Sequence, residues 1–243
     1  FDYHCPLLSL PHRLGTTPLT VPGTQGYLRA DPALAAPWRQ RLGPATRPRI
    51  GLVWRGDPAH GNDHNRSMPL AQLARLLDIA DAEFVSLQQV MPDADQPAHA
   101  AWPQLAFHGP QLHDFAETAA LCDAMDLVIS VDTSVAHLAG ALGKPVWILL
   151  PAIAEWRWMQ DREDSPWYPT MRLFRRGFGE ARAAQVGRVS AQVALRSGRA
   201  VGMPQSGSSP QVFACWSSSP VLPVAWGLAA SRWGRREGGR GAG

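Results

Sequence analysis

The stretch LVISVDTSVAHLAGALGKPVWILL, residues 127–150, decides the fold of this chain. An apolar run of strand length ends at Asp132, small hydroxyl residues make a turn, and a helix-period segment Ser134–Leu142 leads into a second apolar run, Pro145–Leu150. Strands that are apolar throughout are buried on both faces, the condition of a parallel sheet covered by helices on each side. The stretch is therefore one βαβ unit, and the connection between its strands is right-handed.

The same alternation extends outward in both directions. Strands are expected at Arg49–Trp54, Glu83–Gln88, Leu105–His108, Leu127–Val131, Pro145–Leu150 and Met171–Phe174, with helical segments at Leu70–Ile79, Asp114–Met125 and Ser134–Leu142. Asp114 followed by Glu117 has the capping-box spacing, with Asp in place of Ser or Thr. The fold class is thus α/β, a Rossmann-like, doubly wound parallel sheet with helices on both faces and ligands beyond the carboxyl ends of its strands. Residues 1–48, rich in Pro and Leu, read as a connector with a short helix around Asp31–Leu42, and residues 49–176 as the sheet domain. Residues 177–243 are dominated by Gly, Ser, Arg, Pro and Ala without a sustained period; they are expected to be disordered, and a frame-shifted reading of GC-rich DNA would give the same composition.

Charge follows this division. Residues 181–243 hold eight Arg against Glu237 alone, whereas residues 1–180 are net acidic, so the basic balance belongs to the tail and is no argument for specific nucleic-acid binding by the folded part. Cys5, Cys122 and Cys215 are far apart and form no CxxC pair, which suggests neither a zinc site nor a disulfide framework and leaves a reducing cytoplasm as the expected setting. No uninterrupted apolar run reaches the ~18 residues of a membrane span. The chain opens at Phe1 and is expected to be a piece of a longer protein.

Three loops at carboxyl ends of strands carry candidate chemistry. At Asp132 the strand meets a helix start, where free N–H groups and the helix dipole favour a phosphate; Thr133, Ser134 and His137 would face it. The spacing equally suits a cap and an inner-face His. GLVWRGDPAHGNDHNRSMPL, residues 51–70, places Arg66 and Ser67 before the next helix, with Ser67 as its expected cap and Arg66 expected to be free for bidentate phosphate contact. In AEWRWMQDREDSPWYPTMRLF, residues 154–174, Trp156, Trp158, Trp167 and Tyr168 offer flat faces for a base or sugar, or ordinary packing under a loop, and Asp161, Glu163 and Asp164 offer acceptors for hydroxyls. The absence of GxGxxG after the first strand, and of GxxxxGK[ST], GxSxG and HExxH anywhere, argues against dinucleotide oxidoreductases, P-loop NTPases, α/β-hydrolases and zinc proteases.

With these segments in view, residues from about Tyr3 to Phe174 resemble the C-terminal domain of glycosyltransferase family 9, the heptosyltransferase-like group, including bacterial members that join tetratricopeptide repeats to such a domain. The resemblance is carried by YHCPLLSLP (3–11), GLVWRGDPAHGNDHNRSMPL (51–70), ISVDTSVAHLAGALGKPVW (129–147) and WRWMQDREDSPWYPTMRLF (156–174). It implies a two-domain GT-B fold whose C-terminal half holds a nucleotide diphosphate-sugar, with metal-independent, inverting transfer, no other cofactor, and an acceptor it does not identify. It also implies donor contacts at Asp132, Thr133 and His137, which match the family's D-T-x-x-x-H element, and a diphosphate contact at Arg66. Ser134 stands where many heptosyltransferases have Gly. A catalytic base would come from the other GT-B domain, and the helix that closes the family's C-terminal domain after the last strand is not visible in the sequence. The rival reading is a non-catalytic nucleotide-binding or scaffold module beside repeats.

Overall fold

A computed structural model gives the fold of residues 4–23 and 25–200; the expectation for residues 201–243 lies outside them. In chain order the strands are β1 (Arg49–Val53), β2 (Glu83–Ser86), β3 (Leu105–Phe107), β4 (Leu127–Val131), β5 (Val146–Leu150) and β6 (Met171–Arg175). The helices are α1 (Leu10–Arg13), α2 (Pro32–Leu42), α3 (Asp63–Arg66), α4 (Ala74–Leu77), α5 (Gln96–Ala101), α6 (Phe115–Asp123), α7 (Ser134–Ala141) and α8 (Arg182–Ala200). All the strands pair in parallel in the order β3-β2-β1-β4-β5-β6. This is a doubly wound sheet: the chain winds from β1 outward through β2 and β3, then returns to β4 and winds the other way.

One face of the sheet presents Val53, Val85, Val128, Ile148 and Leu173 to a core completed by α2, α6 and α7. Gly51 lies in that face because a Cβ there would come within 2.7 Å of Leu87 and 3.1 Å of Met125. Helix α2, read as part of a connector, belongs to this core: Ala35 and Trp38 are buried, and Trp38 Nε1 donates to Glu117 Oε2 at 2.7 Å. That contact also alters the expected capping box. Asp114 Oδ1 accepts from Glu117 N at 2.9 Å as predicted, but the Glu117 carboxylate turns to Trp38 instead of back to the Asp114 backbone.

The other face corrects the reading of the tail. Residues 182–200, expected to be disordered, form α8, whose Val186, Val189 and Val193 recur at helical spacing and are buried. The helix packs on α4 and β6, and Gln185 Nε2 donates to Leu150 O at 2.9 Å, tying it to the end of β5. A helix after the last strand, which the sequence did not reveal, is therefore present. Its Ala, Gly and Arg content hid a narrow apolar stripe.

Two expected helices are also reshaped. Leu70–Ile79 is a 3-10 turn, Leu70–Leu73, followed by the short α4. The Leu70 N–H donates to Asp95 Oδ1 at 3.0 Å, and Asp95 Oδ2 accepts from Trp54 Nε1 at 2.8 Å. Asp95, 1% exposed, thus satisfies two buried donors behind the loop that follows β1. Among the described residues, no helix is long and apolar enough to cross a membrane.

Candidate functional site

The chain reverses its winding between β1 and β4, so the loops that leave their carboxyl ends diverge and open a crevice, the position at which doubly wound sheets bind ligands. Both loops are those singled out on sequence, and a side chain bridges them. Arg66 Nη1 donates to Asp132 O at 2.9 Å, while Arg66 Nε pairs with Asp63 Oδ1 at 3.1 Å. The guanidinium lies over Gly56, where a Cβ would approach Nη2 to 2.5 Å. Arg66 is therefore held at the crevice and is not free in the sense expected from sequence; its Nη2 alone meets no acceptor among the described residues.

Ser67 does not cap the start of the following helix as expected; it is the C-cap residue of α3, its N–H donating to Asp63 O. The segment before it is itself the helix α3, and Ser67 Oγ accepts from Gly56 N at 2.8 Å and donates to Asp63 Oδ1 at 2.7 Å. It thus folds the loop back on itself. From the far side of the sheet, Arg182 at the start of α8 donates Nη1 to Arg66 O at 3.2 Å and a second bond to Asn65 O. No local pattern in the sequence marks Arg182 for this role.

Across the crevice, α7 begins with Thr133 as its N-cap residue in extended conformation, with no side-chain cap. The Thr133 hydroxyl was expected to face a ligand; instead it pairs with Ser130 Oγ at 3.1 Å, and the residue is 6% exposed. The N–H groups of Ala136 and His137 turn back to Thr133 O, whereas those of Ser134 and Val135 meet no acceptor among the described residues. Ser134 is exposed, and the Asp132 carboxylate, half-buried beside it, accepts no hydrogen bond from a described residue.

His137 sits on the first turn of α7. Its ring stacks on Trp158, with centroids 5.1 Å apart at 20°, and its Nδ1 lies 3.1 Å from Tyr168 Oη. Gly140, one turn on, makes room for Tyr168: a Cβ there would meet the ring at 2.8 Å. Burial, opposed by the nearby Asp132, holds the His137 pKa below its ordinary value of 6.5 and keeps the ring neutral at pH 7.

A depressed base binds fewer protons in the folded than in the unfolded chain, so this contribution to stability is complete above pH 6.5 and is lost as the pH falls from 6.5 through the folded pKa. The urea midpoint is expected to drop on going from neutral pH to about 5.5, and His137→Gln to shrink that drop. An equal drop in the variant would place the effect elsewhere, for example at His108, which burial also depresses.

The loop after β5 departs most from expectation. Trp158, proposed as a platform, is 1% exposed beneath His137 and offers no face to solvent. Asp164 is engaged by Arg162 through two bonds of 2.8 and 2.7 Å, which lower its pKa and leave it poorly placed to accept from a sugar. Asp161 is exposed at a positive φ of 53°. Trp156 is 62% exposed with Arg157 over its ring at 4.9 Å, and it remains available as a flat face. A cavity of about 370 Å³ opens between the ends of β5 and β6 beside Asn65, lined by Ile153, Arg176, Phe178 and Glu180. A larger one, about 590 Å³, lies at the amino ends of β4 and β5, away from the crevice.

Protein FlbA of Caulobacter vibrioides is 31% identical to this chain over 183 residues, which span 72% of the chain and 30% of FlbA. Among solved structures, the glycosyl transferase family 9 protein of Veillonella parvula DSM 2008 superposes with a TM-score of 0.56 at 14% identity, over 78% of this chain and 59% of that one. The E. coli ADP-heptose LPS heptosyltransferase II superposes with a TM-score of 0.41 at 18% identity, over 72% of this chain and 52% of that one. The chain thus spans less than two thirds of the length of each of these relatives. The Veillonella structure shares the parallel-sheet α/β fold. Residues 111–150, which run from the turn before α6 through β5 and contain Asp132, Ser134 and His137, match the model of glycosyltransferase family 9 (heptosyltransferase), and over this stretch the chain is similar to that family.

Proposed function

We propose that this chain supplies the donor-binding half of a glycosyltransferase, which moves a hexosyl or heptosyl group from a nucleotide diphosphate-sugar to an acceptor. The observation that carries this reading is a set of unmatched donors on the two loops that Arg66 bridges: the N–H groups of Ser134 and Val135 and Nη2 of Arg66. Such donors stabilise a diphosphate when bound and, more strongly, as it takes on charge in leaving the sugar. Asp132, whose carboxylate would repel a phosphate, is assigned to a ribose or sugar hydroxyl, and Trp156 to the flat face of a base or sugar. We place the protein in the cytoplasm, acting by inversion without a metal ion, with the acceptor-side base supplied by a second GT-B domain.

The backbone donors give a selective test. Ser134 is the first helical residue and Thr133 before it is extended, with φ −141° and ψ 166°, so proline at 134 suits both helix and turn while deleting one N–H. Ser134→Pro is expected to fold as the parent does and to bind its preferred nucleoside diphosphate at least about tenfold more weakly, the effect of losing one hydrogen bond to a charged group. Calorimetry with ADP, UDP and GDP checks it; undiminished affinity in the variant would remove the start of α7 from the site.

The second reading is a nucleotide-binding or scaffold module beside tetratricopeptide repeats. Diphosphate binding by the full-length protein without transfer to any acceptor would support this reading over the first.

A further inference from the structure

We propose that Tyr168 is a positioning residue that holds His137 in its Nε2–H tautomer and so gives the mouth of the crevice one more fixed N–H donor. The inference rests on the donor-site reading and deepens it. Neither Tyr168 nor Trp158 need touch the ligand; each acts through His137.

Two contacts, one of them made possible by a glycine, leave the ring little freedom. Trp158, itself 1% exposed, covers one face, Tyr168 Oη lies 3.1 Å from Nδ1, and Gly140 lets the Tyr168 ring approach α7 closely enough for that contact. Burial, and after it the nearby Tyr27 hydroxyl, pushes the Tyr168 phenol pKa up. Tyr27 belongs to the segment pinned to α7 by Leu28 N donating to Ala141 O at 2.9 Å.

The imidazole nitrogen is far more basic than a phenol oxygen, so in this pair the Tyr168 hydroxyl donates its proton to Nδ1. A neutral imidazole that accepts at Nδ1 carries its proton on Nε2. The buried side-chain nitrogens left without a partner among the described residues are Trp158 Nε1 and Arg175 Nε, so Nε2 of His137, which no described group meets, opens to solvent. The charged groups facing the ring are Asp132 from the turn after β4, and Glu155 and Arg157 from the loop after β5. None of them occupies Nδ1, so the tautomer is left to Tyr168.

The test is the long-range ¹H–¹⁵N correlation spectrum of the histidine rings in the 243-residue chain at neutral pH, with His137→Gln identifying the signals. The expected pattern is a protonated Nε2 and an unprotonated Nδ1 in the parent, moving toward a mixture of tautomers in Tyr168→Phe. A protonated Nδ1 in the parent overturns the proposal whether or not the variant folds, and so does an unchanged pattern in a folded Tyr168→Phe.

The functional arm is ADP, UDP and GDP binding across pH. Tyr168→Phe is expected to weaken the preferred diphosphate roughly three- to tenfold and to alter the pH profile of binding below neutrality, where a merely structural role would leave that profile unchanged. Equal affinity with an equal profile rejects the positioning role. Absence of binding to any diphosphate by the parent rejects the donor-site reading, while the ring spectra still decide the tautomer.

Discussion

A chain ending at residue 176 is expected to show no cooperative unfolding, whereas one ending at residue 200 is expected to unfold in a single transition in urea. The difference is α8. Val186, Val189 and Val193, exposed by 1%, 0% and 2%, cover the sheet face opposite the α2–α6–α7 core. At about 1.5–3 kcal/mol for each buried side chain, their loss alone is of the order of 5–9 kcal/mol, comparable to the whole stability of a typical domain. Removal would also expose Leu70, Leu73 and Trp147 on that face and release the Arg182 bonds to the carbonyls of Asn65 and Arg66. Circular dichroism through a urea titration of both chains is the measurement. A cooperative transition in the shorter chain at the midpoint of the longer one would make α8 dispensable and return it to the tail.

Arg66→Ala is expected to reduce both stability and diphosphate affinity. The side chains of Arg66 and Asp63 are only 14% and 11% exposed, so the substitution leaves a nearly buried carboxylate with Ser67 Oγ as its side-chain donor. Breaking a buried pair in this way costs about 3 kcal/mol. It also releases the turn at Asp132, whose carbonyl Arg66 holds. Loss of the cation beside a diphosphate adds an expected ten- to hundredfold fall in affinity.

Arg66→Lys separates the two effects. An ammonium restores part of the attraction to phosphate, but it lacks the planar fork needed to span Asp63 and Asp132 O together. Lysine is expected to recover affinity more than stability, with calorimetry reading the first and the urea midpoint the second. Full recovery of both would show that the fork is not what organises the crevice.

The order of elements was legible in the sequence because the information is local. Strands such as LVISV and VWILL are apolar at every position, and a strand buried on both faces needs nothing else to be recognised. The helix that starts at Ser134 followed from small residues at helical spacing after a hydroxyl turn, and a ligand site beyond the carboxyl ends of the strands followed from the alternation of elements, whereas the strand order that puts the switch point between β1 and β4 did not. In α8 the apolar stripe is also present, at 186, 189 and 193, but it is three valines wide in a run of Ala, Gly and Arg, and its amphipathicity has meaning only once a sheet face lies beneath it.

What only the tertiary structure decided is which polar groups remain free. Arg66, Thr133, Trp158 and Asp164 have the right chemistry for a ligand, yet Arg66 is shared with Asp63 and Asp132, Thr133 with Ser130, Trp158 lies under His137, and Asp164 is held by Arg162. Conversely, Arg182 reaches the site from a segment assigned to the tail, and Leu28, from the segment assigned to a connector, donates its N–H to Ala141 O on α7. A side chain's residue type sets the bonds it is able to make. The bonds it does make depend on neighbours brought together by packing, such as Asp132 for Arg66 across the switch point, and periodicity along the chain carries no record of them.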